Sequence, residues 1–178
     1  MTVSLIVAVD RGNAIGWKDG RLPWKIPVDM KRFKELTTGG TVVMGWSTYK
    51  SLGRIDGLPN RKNLVLTRRT YPEIRGQFGN VDIISSLDYV LRLEDPWIIG
   101  GASVYDQALE AGLVDEIYLT LVDESSGADV TLKHDLAAWK LFMLQQAKLG
   151  ILWHAEVEYP HTEDTSPNIT FVTLRKLK

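Results

Sequence analysis

The feature that most constrains this chain is a series of short, apolar runs separated by segments of helical character. Leu5 to Val9 is the first run, and no polar residue interrupts it. A strand that is apolar on both faces is typical of a parallel sheet covered by helices on either side. Strands that alternate with helices over the first two thirds of the chain therefore predict an α/β fold. The later strands are predicted at Thr41 to Met44, Lys62 to Thr67, Val81 to Ile84, Trp97 to Ile99 and Ile117 to Val122.

The last third of the chain has a different pattern, which predicts strands without intervening helices. These strands cover Lys140 to Gln145, Leu152 to Tyr159 and Ile169 to Leu177. A long polar hairpin loop, Pro160 to Asn168, separates the last two. We therefore expect a mixed, mostly parallel sheet of about eight strands with an antiparallel C-terminal edge, and about four helices on both faces. The expected organisation is a single domain over residues 1–178.

A carboxylate on the apolar face of one predicted helix marks the first candidate site. Pro27 suits a first helical turn and Gly39-Gly40 ends the segment. At about 100° per residue, Asp29, Phe33 and Leu36 fall on one face. A carboxylate among apolar side chains is costly without a partner. Two explanations fit: a ligand that offers N–H donors, or a helix-dipole or capping role in the first turn.

The segment from Asp10 to Ile26 is a long loop, rich in glycine, that nevertheless carries large apolar side chains. These are Ile15, Trp17, Leu22 and Trp24. Such side chains need something to cover, so the loop is either a mobile flap over a site or a static, packed Ω-loop. Both explanations stay open at this point.

Two strand-to-helix junctions carry glycine at the turn, namely Met44-Gly45-Trp46-Ser47-Thr48 and Ile99-Gly100-Gly101-Ala102-Ser103. Free N–H groups at a helix start favour anions, and open α/β sheets bind ligands at the C-terminal ends of their strands. A third junction, Leu66-Thr67-Arg68-Arg69, adds fixed positive charge at the same edge. Together the three junctions predict a site for a dinucleotide with an extra phosphate. Taken singly, each glycine is also explained by a tight turn that needs a positive φ.

Composition argues against several other classes of protein. The chain has no cysteine, which removes disulfides and thiolate sites and fits a reducing compartment, so we expect a cytoplasmic protein. A net charge of −1 gives no indication of a nucleic-acid or membrane surface. The N-terminus lacks a basic region, and its apolar run is too short to span a membrane. His134, His154 and His161 lack ligand spacing, so no metal is expected.

These residues together resemble the dihydrofolate reductase family. The combination of Leu22-Pro23-Trp24, an acidic helix directly after it and Ile99-Gly100-Gly101 much later is specific. The matching pieces span nearly the whole chain in order. They are Leu5-Ile6-Val7-Ala8, Ile15-Gly16, Leu22-Pro23-Trp24, Pro27 to Phe33, Val43 to Tyr49, Leu58 to Asn63, Ile98 to Ala102, Tyr118-Leu119-Thr120 and the strand around Phe171.

The resemblance implies a dihydrofolate-reductase-like fold and an NADP-dependent oxidoreductase. The implied reaction is reduction of 7,8-dihydrofolate to 5,6,7,8-tetrahydrofolate with NADPH, by hydride transfer to pterin C6 and protonation of N5. It supplies one-carbon metabolism and thymidylate synthesis. The implied partners are dihydrofolate and antifolates such as methotrexate or trimethoprim, with no nucleic acid and no membrane, and the expected state is a monomer. The implied adenosine-binding subregion covers roughly residues 40–93.

The resemblance also implies which residues form the site. Asp29 accepts hydrogen bonds from the amidine edge of the pterin, Thr120 supports Asp29, and Arg61 binds the glutamate α-carboxylate. A water admitted near Leu22 is the favoured proton source for N5, and Trp24 completes the catalytic set. The substrate-binding set is Ile6, Val7, Ala8, Asp29, Phe33, Leu52, Leu58, Arg61, Ile99, Tyr105 and Thr120. The cofactor-binding set is Ala8, Ile15, Gly16, Gly45, Trp46, Ser47, Thr48, Leu66, Thr67, Arg68, Gly100, Gly101, Ala102, Ser103, Val104 and Tyr105.

Some positions depart from the family pattern. Trp46 and Ser103 stand where the family commonly has basic residues that help to hold cofactor phosphates, so Arg68 would carry the 2′-phosphate, with Arg69 or Lys50 in reserve. The segment from Ile55 to Gly57 lengthens the loop before Leu58 and bears on how Arg61 is presented.

Asp129 matches a family aspartate that latches the loop near Gly16. An aspartate in a solvated turn explains the same residue.

Two other functions stay open from the sequence. One is a reductase of the same fold that acts on a pyrimidine intermediate of riboflavin synthesis. The other is a non-catalytic NADP- or folate-binding protein, since a fold does not prove an activity.

Overall fold

The computed structural model describes residues 1–160 and 167–178. Its central sheet has eight strands, which are β1 (Ser4–Val9), β3 (Thr41–Gly45), β4 (Lys62–Leu66), β5 (Asp82–Ile84), β6 (Trp97–Gly100), β7 (Glu116–Val122), β9 (Trp153–Glu158) and β10 (Ile169–Lys176). Their order across the sheet is β5-β4-β3-β6-β1-β7-β10-β9. The strands from β5 to β7 pair in parallel, and β10 pairs antiparallel with both β7 and β9. The predicted mixed sheet with an antiparallel C-terminal edge is therefore confirmed.

Burial explains why the sheet is so strongly apolar. Leu5 of β1 and its register partner Ile117 of β7 are both fully buried, as is Ile98 of β6 on the other side of β1. Helices that cover both faces remove the alternation of polar and apolar residues that a half-exposed strand shows.

The helix that the sequence predicts around Asp29 is present in the structure. The Asp29 helix runs from Pro27 in its first turn to Thr37. The described helices are α1 (Pro27–Thr37), α2 (Trp46–Ser51), α3 (Tyr71–Ile74), α4 (Ala102–Glu110), α5 (Trp139–Lys148) and a 3₁₀-helix, Leu87–Arg92. Within residues 1–160 and 167–178, no helix combines the length and the apolar character needed to cross a bilayer.

One predicted strand is wrong: the segment Lys140 to Gln145 belongs to α5. Phe142 is buried, and Trp139 and Met143 pack against the same core. These positions have the spacing of one helix face, whereas Leu141 and Leu144 are exposed. The apolar residues on the exposed face conceal that period, so the sequence pattern resembles that of a strand.

A second, two-stranded sheet was not predicted. It pairs β2 (Ala14–Gly16) with β8 (Val130–Thr131) in antiparallel fashion and so ties the first long loop to the loop after β7.

The predicted hairpin loop runs from Pro160 to Asn168. Residues 161–166 of this loop, which include His161, lie outside the described residues. The two strands that flank it, β9 and β10, do pair antiparallel.

Candidate active site

A cleft of about 2090 Å³ lies along the C-terminal ends of the parallel strands. Its walls come from β1, α1, the β3–α2 junction, the segments after β4 and β5, and the β6–α4 junction. Of the site residues that the sequence predicts, all except Trp24 line this cleft. The two regions expected to bind a flat ring and a dinucleotide are therefore parts of one continuous cleft.

Asp29 lies in the first turn of α1, and its partner comes from β7. The hydroxyl of Thr120 donates a hydrogen bond of 2.6 Å to Asp29 Oδ1. Thr120 is held in place because β7 pairs with β1 at Ala8 and with β10 at Phe171. Since an ionised carboxylate is a hydrogen-bond acceptor only, Oδ2 is left to face donors from the cleft. The arrangement favours the ligand explanation of Asp29 over a helix-dipole role.

Burial raises the pKa of the Asp29 carboxyl above its ordinary value. The hydrogen bond from Thr120 and the positive charge of Arg32 act in the opposite direction but do not cancel this effect. Hydrogen bonds from the N–H donors of a ligand are stronger to a carboxylate held this way than to an exposed one, because bulk water does not compete for the carboxylate.

The apolar walls lie on both sides of Asp29. Phe33 comes from α1, Leu52 follows α2 and Leu58 lies in the loop before β4, and all three are partly exposed toward the cleft. On the floor, the hydroxyl of Tyr105 donates a 2.6 Å hydrogen bond to the carbonyl of Ile6. Burial raises the pKa of Tyr105, so this hydroxyl stays protonated. One lone pair of the Ile6 carbonyl is thereby used within the protein, and the second is left for a ligand.

Arg61 lies at the outer end of these walls and is already tethered. Its Nε donates to Thr37 Oγ1 at 2.9 Å and its Nη1 donates to the Pro59 carbonyl at 2.6 Å. Asn63 donates to the carbonyls of Leu58 and Arg61 at 2.9 and 3.0 Å. The backbone at Leu58 and Arg61 is thus fixed by Asn63, and the guanidinium is held at the cleft wall with Nη2 left for an acceptor.

The dinucleotide half of the cleft is shaped by close packing between its two glycine junctions. A Cβ atom on Gly45 would approach Val104 Cγ2 to 3.0 Å, and one on Gly101 would approach Thr48 Oγ1 to 3.1 Å. Gly45 caps α2 and Gly101 caps α4, and neither helix start has a side-chain hydrogen bond to its N–H groups. These free donors fit the phosphates of a dinucleotide, so the residues present suit such a cofactor.

Sequence reasoning missed two residues at the end of the cleft where the adenosine is expected. Ser85 and Ser86 line the cleft directly after β5, beside Arg68 and Arg69. Their position was available as a signal, because they follow a predicted parallel strand just as the three recognised junctions do. Glu73 lies at the same end and accepts hydrogen bonds from the N–H and hydroxyl of Thr70.

Comparison with known proteins agrees with this geometry. The family model described as dihydrofolate reductase matches residues 2–159. The chain belongs to the dihydrofolate reductase family. A dihydrofolate reductase type 3 of Salmonella typhimurium is 40% identical over 133 residues, which are 72% of this chain and 76% of that protein. A dihydrofolate reductase of Staphylococcus aureus is 38% identical over 124 residues, 69% of this chain and 72% of that protein.

A solved structure extends the likeness to the whole chain. It is the dihydrofolate reductase from Enterococcus faecalis complexed with NADP(H) and RAB-propyl, which superposes with a TM-score of 0.77 at 26% identity, covering 99% of this chain and 97% of that one. The dihydrofolate-reductase-like fold expected from the sequence is thus confirmed.

Within this member of the dihydrofolate reductase family, the long loop has a packed stem and an exposed tip. Trp24 and Ile26 are buried against Val122, Ile169 and Phe171. This burial, rather than a position on the cleft wall, is where the structure places Trp24, and its catalytic role stays a prediction. Leu22, at the tip, is 61% exposed and lines the cleft. The packed explanation therefore applies to Trp24 and Ile26, and a flap around Leu22 stays a prediction.

Asp129 joins the loop tip to the segment after β7. Its Oδ1 accepts a 2.9 Å hydrogen bond from the backbone N–H of Lys18, beside the β2–β8 pair. We expect Asp129→Ala to lower kcat/KM about threefold to tenfold, because an exposed charge-assisted hydrogen bond that holds the loop over the cleft is lost. Steady-state kinetics measure this effect. Asp123→Ala is the matched control, since Asp123 pairs with Arg11 outside the cleft, and equal losses in both variants would contradict the latch.

Proposed function

We propose that the cleft reduces 7,8-dihydrofolate to 5,6,7,8-tetrahydrofolate and that Asp29 is the residue around which the pterin is oriented. Membership of the dihydrofolate reductase family makes the chain an NADPH-dependent dihydrofolate reductase. The observation that carries the assignment of Asp29 is the partly buried carboxylate, bonded on one oxygen to Thr120 and facing the cleft. The amidine edge of a pterin offers N–H donors that match the remaining oxygen.

The residues around Asp29 bind and orient the substrate. Asp29 Oδ2 accepts a hydrogen bond from the pterin ring. Because the Thr120 hydroxyl donates its hydrogen to Asp29, the Thr120 oxygen is left as an acceptor for the pterin amino group. Phe33, Leu52 and Leu58 enclose the flat ring system and exclude water from it. Arg61 binds the glutamate carboxylate and so holds the tail of the substrate, which is remote from the reacting atoms, at the cleft wall.

NADPH, when bound, supplies the hydride that is added at pterin C6. Gly45, Thr48, Gly101 and Ala102 would hold its pyrophosphate at the helix starts of α2 and α4. At the adenosine end Arg68 would contact the 2′-phosphate. Residues 40–93 would form the adenosine-binding subregion, since that range contains these loops after β3, β4 and β5.

The proton for N5 does not come directly from Asp29 in this proposal. Asp29 holds the edge of the ring that carries the amidine, which is remote from N5. We assign the transfer to a water beside Leu22, whose exposed side chain lies at the cleft mouth. Closure of the exposed part of the loop from Gly16 to Trp24, with Trp24 packed as its fixed end, would then exclude further water from the nicotinamide.

The setting of the enzyme is also proposed. The absence of cysteine fits a reducing compartment, and we propose that the protein works in the cytoplasm. We also propose that it acts as a monomer and that residues 1–178 form a single domain, which the one continuous eight-stranded sheet supports.

The direct test follows NADPH oxidation in the presence of dihydrofolate, with and without methotrexate. We expect turnover that depends on dihydrofolate and that methotrexate abolishes. Tight methotrexate binding without turnover would show a binding protein. Turnover with a ribosylated pyrimidine in place of dihydrofolate would show the other reductase of this fold.

A further inference from the structure

Arg32 is a half-buried charge that the roles assigned above leave unused. It lies one helical turn after Asp29 on α1 but does not line the cleft. Its Cζ atom is 4.1 Å from the ring centroid of Phe171 and 5.7 Å from that of Tyr118. Its Nη2 also lies 3.4 Å from Thr173 Oγ1, a long hydrogen bond. The guanidinium is therefore held between α1 and the strands β7 and β10, directly behind the site.

Arg32 is held by aromatic rings rather than by a contacting carboxylate. Its Nη1 is buried and has no hydrogen-bond acceptor in the part of the chain that the structure describes. The face of an aromatic ring attracts a guanidinium but carries no net negative charge, so the positive charge of Arg32 still acts on its surroundings. In a region with little water that field reaches Asp29 on the same helix, although the two side chains form no ion pair.

We propose that Arg32 is a positioning residue whose fixed positive charge, held by Phe171 behind α1, keeps Asp29 ionised in the desolvated site. The inference rests on the proposed function, because the ionised carboxylate accepts from Thr120 at Oδ1 and keeps Oδ2 as an acceptor for the pterin ring. It adds a second support to the one that Thr120 gives. Thr120 fixes the geometry of the carboxylate, and Arg32 offsets the cost of burying its charge.

The other charged and titratable groups around this pair do not replace Arg32. Tyr105 approaches from α4 and Tyr118 from β7, and burial raises the pKa of each, so both stay neutral. Glu158 acts on Arg32 from β9 with a negative charge, which opposes rather than supports ionisation of Asp29. The positive charge of Arg32 lowers the pKa of Asp29 against the larger effect of burial. Arg32 is thus the cation on which the carboxylate depends among the described residues.

The test measures the ionisation of Asp29 directly in the full-length protein. The carboxyl carbon resonance of Asp29, identified by its loss in Asp29→Asn, is followed by NMR across the acid range. Arg32→Met removes the charge but keeps an apolar stem against Phe171. At the pH where half of Asp29 is ionised in the unchanged protein, we expect the ionised fraction in Arg32→Met to fall to about one tenth.

Three further variants make the outcome decisive. Arg32→Lys keeps the charge and is expected to restore the titration, and Arg32→Gln repeats the charge removal should the methionine variant fold poorly. Lys148→Met removes an exposed cation at the end of α5 and is expected to leave the titration unchanged. An Asp29 titration midpoint that is unchanged in Arg32→Met and Arg32→Gln overturns the inference. A shift of the midpoint in Arg32→Lys as large as that in Arg32→Met also overturns it. Because the titration needs neither substrate nor turnover, failure of the proposed function would appear separately in the NADPH assay.

Discussion

Replacement of Asp29 by asparagine is expected to lower kcat/KM for dihydrofolate by about two to three orders of magnitude at neutral pH. Asparagine has nearly the same shape and keeps an acceptor for Thr120, but it brings an amide where the pterin needs an anionic acceptor. The loss of kcat/KM therefore measures what the negative charge of Asp29 contributes in a site with little water, because the N–H donors of the pterin lose their anionic acceptor.

The kinetic experiment measures single-turnover hydride transfer as well as the steady state. Glu35→Gln is the matched control, because Glu35 lies on the exposed face of the same helix and pairs with Lys31 at 3.7 Å. We expect its rate to stay within about twofold of the unchanged protein. Full hydride-transfer rate in Asp29→Asn would show that the pterin is held elsewhere.

The thermal stability of Asp29→Asn is not expected to fall with its kcat/KM, which separates the loss of activity from misfolding. The folded state raises the pKa of Asp29, so the protonated form is favoured by folding and its stabilising contribution is lost as pH rises through that pKa. At neutral pH the ionised carboxylate therefore costs stability. We expect the Tm of Asp29→Asn to equal or exceed that of the unchanged protein, as thermal unfolding at neutral pH will show.

The helical period was enough to place Asp29 on the inner face of α1, but not to find what supports it. Thr120 and Phe171 are distant in sequence and reach the helix only because β7 lies between β1 and β10. The resemblance to the dihydrofolate reductase family supplied Thr120. The position of Arg32 on Phe171 depends on tertiary packing alone and had no signal in the sequence.

Local patterns failed where tertiary contacts decide the structure. The strand β2 is only three residues long and exists because Val130 and Thr131 pair with it across the loops. The helix α5 was missed because its exposed face carries Leu141 and Leu144, which mask the helical period of the buried side chains. Glycine junctions were easier to predict, since Gly100 has a φ of 127°, which side chains of other residues rarely tolerate.

Loss of the Arg61 side chain is expected to be the second largest effect. In Arg61→Met we expect KM for dihydrofolate to rise about 30- to 100-fold while kcat stays within about twofold. The guanidinium is fixed by Thr37 and Pro59 before substrate arrives, so little entropy is lost when it binds a carboxylate. Because the glutamate is remote from the reacting atoms, this interaction is the same in the ground state and the transition state, and it lowers KM alone.

The substrate itself provides the matched control for Arg61. A dihydropterin without the benzoylglutamate tail should be reduced equally well by the unchanged protein and by Arg61→Met. Arg61→Lys should lie between the two with dihydrofolate, since lysine keeps the charge but cannot offer a planar pair of donors to a carboxylate. An increase in KM for the tailless substrate as large as that for dihydrofolate would show that Arg61 supports Phe33 and does not bind the tail. The Cζ atom of Arg61 lies 5.8 Å from the centroid of the Phe33 ring. The ratio of the two losses therefore separates recognition of the glutamate from support of the apolar wall.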